Sequence, residues 1–183
     1  MKVEVASTAG FCFGVDRAVN TVYKLLEEGK QAATLGPIIH NPQVIQDLKS
    51  RGVQIVNVPE ETPEGYTLVI RSHGVPREVE EKIQALQIPY VDATCPFVKK
   101  IHQLAERSGE EGKVFLLAGD KDHPEVQGIV GHCKGENFVV KNSEDLVNLL
   151  KIHPELAEKP LAFAAQTTFH AGEWEKCLET LKK

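Results

Sequence analysis

The sequence predicts an α/β fold made of two pseudo-repeated α/β units with mostly parallel sheets. Three observations carry that expectation. Short apolar runs of strand length alternate with stretches of helical periodicity along the whole chain, the pattern of strand–helix crossovers in parallel sheets. The same landmarks return at a fixed interval: 83 positions separate Cys12 from Cys95, and 83 separate His40 from His123, as an internal repeat requires. Finally, three of the seven histidines and two of the cysteines gather where apolar runs give way to helical periodicity, the edge at which open α/β sheets bind ligands.

Each element of the first half has its own signal. At 2–6, Val3 and Val5 alternate with polar neighbours, the reading of a strand. The turn Gly10-Phe11-Cys12-Phe13-Gly14 follows, with glycines that admit bulk close to the backbone. Val15, Ala18, Val19, Val22, Leu25 and Leu26 then form one apolar helical stripe, which Gly29 ends. A strand is expected at 31–35, broken by Gly36-Pro37. Asn41 caps the next helix with Pro42 at its first position, and Val44, Ile45 and Leu48 supply its buried face. Residues 53–58 read as a strand, 59–65 as a polar turn and 67–71 as a further strand. Ser72-His73-Gly74-Val75-Pro76 leads into a helix with Val79, Ile83 and Leu86 on one side. Another strand is expected at 89–93, then Cys95, a helix from Pro96 to about Arg107, and a loop at 109–112.

The second half repeats the plan. An apolar strand at 113–118 ends in Gly119-Asp120-Lys121-Asp122, and His123-Pro124 opens a helix with Val126, Ile129 and Val130 facing in. Residues 137–140 read as a strand, and Ser143-Glu144-Asp145 caps a helix through Leu150, with acids in its first turn. A strand at 161–165 exits through Gln166-Thr167-Thr168, and a helix at 173–181 follows. The unit boundary is expected after Cys95. Residues 1–95 would carry Cys12, His40 and His73, and residues 96–183 would carry His123, Glu125 and Thr167.

Composition narrows the class. With 42% apolar and 26% charged residues, the chain has the make-up of an ordinary soluble globular protein. A net charge of −5 without a basic stripe argues against nucleic-acid binding. No run is long and apolar enough to span a membrane, and no basic-then-apolar leader precedes 2–6, so a cytoplasmic location is expected. The four cysteines form no Cys-x-x-Cys pair, which disfavours zinc ribbons, thioredoxin-like motifs and, with no export signal, a disulfide framework.

Four polar clusters fall where strands end and helices begin, around His40, His73, His123 and Thr167. Helix starts present unpaired N–H groups and a favourable dipole to anions, and a neighbouring histidine adds a charge-assisted hydrogen bond to a phosphate oxygen. Each histidine could equally do no more than cap a turn; three at equivalent strand ends favour a phosphate-type site. His102, His132, His153 and His170 lack this context and read as structural or exposed. Glu125 falls in a first helical turn, where it either gains from the helix dipole or donates protons beside a dry cofactor. For Cys12 and Cys95 the options are zinc, an iron–sulfur cluster, nucleophilic catalysis or burial. Phe11, Phe13 and Phe97 would make a dry shell around a metal.

Six motifs, taken together, point further. Gly-Phe-Cys-Phe-Gly-Val at 10–15, Gly-Pro-Ile-Ile-His-Asn-Pro at 36–42, Arg-Ser-His-Gly-Val at 71–75, Asp-Ala-Thr-Cys-Pro at 92–96, Asp-His-Pro-Glu-Val at 122–126 and Gln-Thr-Thr at 166–168 resemble the LytB/IspH family of 4-hydroxy-3-methylbut-2-enyl diphosphate reductases, in order along essentially the whole chain. The resemblance implies three trefoil-arranged α/β units, of which this chain would hold two. It implies the last step of the non-mevalonate isoprenoid pathway, in which an allylic hydroxyl is removed reductively to give isopentenyl and dimethylallyl diphosphates. It also implies a [4Fe–4S] cluster held by three cysteines, with Cys12 and Cys95 as two of them. His40, His73 and His123, with Thr167, would bind the allylic diphosphate substrate. Glu125 would be the proton donor, and Thr167 would orient substrate and proton relay. A ferredoxin- or flavodoxin-like protein would bring the electrons.

The chain departs from that pattern in one respect. The family's third cysteine and its Ser-x-Asn motif belong to a third unit that this chain lacks. Aligning Arg71-Ser72-His73 with Gln166-Thr167-Thr168 puts Cys177 opposite Lys82, inside a helix, and Cys133 falls outside the motifs. The expectation is an amino-terminal fragment that alone holds no intact cluster, or an incomplete one, and is inactive. The competing readings are an α/β module that binds a phosphorylated metabolite without chemistry, and a zinc hydrolase, which the ligand spacing does not support.

Overall fold

Parallel pairing follows from the strand–helix alternation, because each return to the sheet must pass over a face before the next strand begins. In the computed structural model, which describes residues 2–182, the chain forms two compact units, each with its own all-parallel sheet.

The first unit comprises the chain through Ser72 together with Pro89–Cys95. It holds α1 (Phe13–Glu27), β1 (Gln31–Leu35), α2 (Pro42–Ser50), β2 (Gln54–Val56), β3 (Tyr66–Ile70) and β4 (Tyr90–Asp92). The sheet order is β2-β1-β3-β4, with Leu35 opposite Ile70 at the carboxyl ends of β1 and β3. Four of the five β1 residues are buried without alternation, as expected of a strand covered on both faces. Ala18, Val22 and Leu25 of α1 join Ala32, Leu48 and Val69 in its core. The expected cap is present: the Asn41 side-chain oxygen accepts from the Val44 N–H at 3.1 Å.

The second unit comprises His73–Ile88 and the chain from Pro96 onward. It holds α3 (Arg77–Ala85), α4 (Pro96–Glu110), β5 (Val114–Ala118), α5 (Pro124–Val130), β6 (Asn137–Val140), α6 (Ser143–Ile152), β7 (Leu161–Ala165) and α7 (Ala171–Leu181). Its sheet order is β6-β5-β7. Alternate residues of β5 serve two cores. Val114, Leu116 and Ala118 join Leu146 and Cys177 on one face, while Phe115 and Leu117 join Ala105, Val126 and Ile129 on the other.

Three expectations differ from the structure. Residues 2–6 form no strand: Val3 is 71% and Val5 81% exposed, and among the described residues no strand pairs with them. Alternation makes a strand only when a neighbour accepts its hydrogen bonds. The strand expected at 53–58 shortens to β2, with a 3-10 turn at Pro59–Glu61 after it. The division into units also differs from the expected break after Cys95 in one segment, 73–88, which groups with the second unit.

Candidate functional site

In the second unit the chain leaves β5 towards β6 and returns on the other side of β5 as β7. The helix after β5 packs on one face of the sheet and the helix after β7 on the other, so the segments leaving these two strands part at their carboxyl ends, the switch point where open α/β sheets hold ligands. Glu125 stands there. It is 2% exposed, and both carboxylate oxygens are engaged by one residue. Oε1 accepts from the Thr167 N–H at 2.7 Å and Oε2 from the Thr167 hydroxyl at 2.8 Å. Burying a carboxyl group is tolerable only with such partners.

Neighbouring residues fix this clamp. Gln166 accepts from the Asp120 N–H at 3.2 Å and donates to the Thr168 hydroxyl at 2.9 Å, joining the exits of β5 and β7. His123 caps α5: its Nδ1 accepts from the Glu125 N–H at 3.1 Å. In the neutral ring the proton is then on Nε2, which makes that nitrogen a donor. The His73 ring meets His123 edge-on, with centroids 5.4 Å apart. Four predicted residues of this unit (His73, His123, Glu125 and Thr167) thus form two directly contacting pairs, linked through the His123–Glu125 cap. His102 and His132 are structural, as expected. They are buried and stacked at 4.2 Å, and His132 Nε2 lies 3.1 Å from the Val75 carbonyl oxygen.

In the first unit Cys12 is the exposed N-cap residue of α1, and Cys95 is half-buried on the turn after β4. The two turns meet closely. A Cβ built on Gly14 would overlap the Cys95 sulfur, so glycine is needed two residues beyond Cys12 for that thiol to lie where it does. The Cys95 N–H donates to the Ser72 carbonyl at 2.9 Å. Arg17, which the sequence reading missed, donates from Nη1 to the Thr94 carbonyl at 3.0 Å and ties α1 to the Cys95 turn. Its only signal was a place one helical turn past Cys12. His40 is exposed, immediately before the Asn41 cap of α2.

These positions bear on a metal–sulfur group. Cys12 and Cys95 are thiols on helix-leading turns, and the glycine cradle brings Cys95 against the backbone two residues from Cys12; thiols so placed suit the chemistry of sulfur ligands. Cys133 and Cys177 do not extend the set. Cys177 is fully buried in a core of the second unit, where desolvation pushes its thiol pKa up and disfavours the thiolate a metal needs. Cys133 packs against the other core of that unit, its thiol 3.6 Å from the Gly135 carbonyl oxygen.

A parallel sheet with helices on both faces is the build of a doubly wound α/β protein, a class whose ligands bind at the strand ends. Comparison with known proteins gives the family. The LytB protein family matches residues 3–183, and the chain belongs to that family. A 4-hydroxy-3-methylbut-2-enyl diphosphate reductase of Thermoanaerobacter sp. (strain X514) is 41% identical over 186 residues, covering all of this chain and 62% of the relative. The reductase of Aquifex aeolicus is 43% identical over 168 residues, covering 90% of this chain and 56% of the relative. A solved structure of (E)-4-hydroxy-3-methyl-but-2-enyl diphosphate reductase matches with a TM-score of 0.81 at 38% identity, over 98% of this chain and 63% of that one. The Plasmodium falciparum reductase matches with a TM-score of 0.84 at 28% identity, over 96% of this chain and 54% of that one. The chain thus spans roughly three fifths of the length of the Thermoanaerobacter relative.

Proposed function

We propose that this chain is the amino-terminal two units of a bacterial, cytoplasmic 4-hydroxy-3-methylbut-2-enyl diphosphate reductase. The reaction is R–OH + 2H⁺ + 2e⁻ → R–H + H₂O. The allylic C–O bond breaks, one proton leaves with the oxygen as water and the other adds to the allyl system, giving isopentenyl or dimethylallyl diphosphate. The observation that carries this reading is the buried Glu125 carboxyl group held at both oxygens by Thr167.

Protonated Glu125 is the proton donor. The Thr167 hydroxyl can rotate to accept from Glu125 and pass its own hydrogen on, so the pair is a two-atom relay towards the departing oxygen. The Thr167 N–H keeps the carboxyl group in one rotamer while this occurs. His40, His73 and His123 bind the diphosphate, with His123 donating from Nε2. Cys12 and Cys95 would hold a [4Fe–4S] cluster by two of its sulfur ligands. When bound, such a cluster supplies single electrons and Lewis acidity towards the hydroxyl. A ferredoxin- or flavodoxin-like protein is the electron source. With two ligating thiols, the chain alone holds no intact cluster and does not turn over.

The test is anaerobic iron–sulfur reconstitution of this chain alone and joined to the remaining part of the Thermoanaerobacter relative. The joined protein is expected to take up iron in a Cys12- and Cys95-dependent manner and to dehydroxylate the allylic diphosphate. Absence of iron in the joined protein, or full turnover after Glu125→Gln, overturns the reading.

A further inference from the structure

The first unit has a switch-point crevice of its own. With the order β2-β1-β3-β4, the chain leaves β1 towards β2 and leaves β3 towards β4, so the two exits part at the carboxyl ends of the central strands. Gly36 and Arg71 are the residues immediately after the paired ends Leu35 and Ile70. The Arg71 guanidinium lies across the backbone at Gly36: a Cβ built there would stand 2.5 Å from Nη1 and 3.5 Å from Cζ. Gly36 has a φ of +70°, so both its backbone and the space above it suit glycine alone.

At the counterpart position in the second unit an amide replaces the guanidinium. There Gln166 takes the place of Arg71 and Gly119 that of Gly36, with a Cβ built on Gly119 reaching 3.1 Å from Gln166 Oε1. That amide is satisfied by Asp120 and Thr168. Arg71 is not. Its Nε is buried with no hydrogen-bond partner among the described residues, and no carboxylate pairs with the guanidinium among them. Burial pulls its pKa down, yet a guanidinium stays charged throughout the accessible pH range. A half-buried guanidinium with an unpaired N–H and no carboxylate beside it gains from an arriving anion.

We propose that Arg71, at the β1/β3 crevice of the first unit, is an anion-binding residue that takes a phosphate oxygen through its guanidinium. The planar fork of donors suits phosphate, and the Gly36 cradle holds it in one orientation. That the anion is a phosphate rests on the function proposed above; that the crevice takes an anion does not.

The test follows thermal unfolding of the whole chain at constant ionic strength with inorganic pyrophosphate, malonate or neither, for the native protein, Arg71→Met and Arg71→Lys. A ligand bound to the folded state alone raises Tm. Pyrophosphate is expected to raise the Tm of the native chain more than malonate does. Arg71→Met is expected to unfold no earlier than the native chain without anion, since it removes an uncompensated charge, and to bind pyrophosphate roughly tenfold or more weakly. Arg71→Lys is expected to keep part of the shift. A pyrophosphate shift unchanged in Arg71→Met overturns the proposal, as does no shift in the native chain. An equal or larger response to malonate overturns the phosphate assignment. Iron uptake at Cys12 and Cys95 is measured separately, so its failure sinks the reductase reading without touching the Arg71 shift, and the reverse also holds.

Discussion

Glu125 and Thr167 lie 42 positions apart, and their pairing separates a residue's chemistry from its structural worth. Thr167→Val keeps the backbone donor but leaves Glu125 Oε2 buried without one, which should cost about 1–3 kcal/mol in urea unfolding. Glu125→Gln keeps a group able to accept from the Thr167 N–H and donate to its hydroxyl, so stability should change by less than about 1 kcal/mol. The same change in the completed enzyme should lower turnover by roughly a hundredfold or more, because an amide carries no transferable proton. Equal losses of stability in the two variants would contradict the clamp. At Gly14, alanine places a Cβ into the Cys95 sulfur, and overpacking of this kind costs about 1–3 kcal/mol. Gly14→Ala should also abolish iron uptake as thoroughly as Cys95→Ser; uptake at the native level would refute the cradle. The sequence singled out Cys95, Glu125, His40, His73 and His123 by residue type and place at strand ends, and Cys12 by its place before a helix, although the strand expected ahead of it is absent. It was silent on Arg17 and Arg71, because what matters about them is a carbonyl reached across the fold and a charge withdrawn from water, and neither leaves a local pattern.

At the scale of elements, periodicity located all seven helices and all seven strands among the described residues, and failed where pairing decides. Residues 2–6 have the right alternation but no neighbouring strand, so their valines stay exposed. Helix ends were legible to within a residue or two where a side chain terminates them; Asn142, not Ser143, caps α6 by accepting from the Asp145 N–H at 2.8 Å. Ser143 serves a different contact. Its N–H and hydroxyl donate to Glu173 Oε1 of α7 at 2.8 and 2.6 Å, pinning the start of α6 to α7. The Ser143 hydroxyl, then its N–H and Lys176, lower the Glu173 pKa from the ordinary 4.5 to about 2. A carboxyl group with a depressed native pKa contributes stability above its unfolded pKa, and that contribution disappears as pH falls through the native value. Stability should therefore fall between about pH 4.5 and 2 with a component that Glu173→Gln removes. Parallel profiles for the two proteins, measured by urea unfolding across that range, would remove Glu173 from the acid response.

At the scale of the whole molecule, the repeat inferred from 83-residue spacings is present as topology. In both β2-β1-β3 and β6-β5-β7 the first strand is central and the next two flank it. The offset grows from 83 between β1 and β5 to 95 between β3 and β7 because α6 and a 3-10 turn occupy a connection that is a short turn in the first unit. By that correspondence α3 is the counterpart of α7, which packs on its own sheet. Yet α3 groups with the second unit, and no sequence period could reveal this, since an amphipathic stripe states that a face is buried but not against what. Its partners are specific: Pro76 fits against Gly131, Arg77 pairs with Glu106, His132 contacts the Val75 carbonyl, and Ile83 is fully buried. A nine-residue helix is marginal in water without such packing. A chain ending at Cys95 keeps β1, β3 and the α1 core but loses every one of those partners. Hydrogen exchange should then show the amides of α3 unprotected in that shortened chain and slow in the whole one, with β1 and β3 slow in both. If α3 remained as slow as β1 after the cut, its stability would have to arise within residues 1–95, and the division of the chain at 73–88 would be wrong.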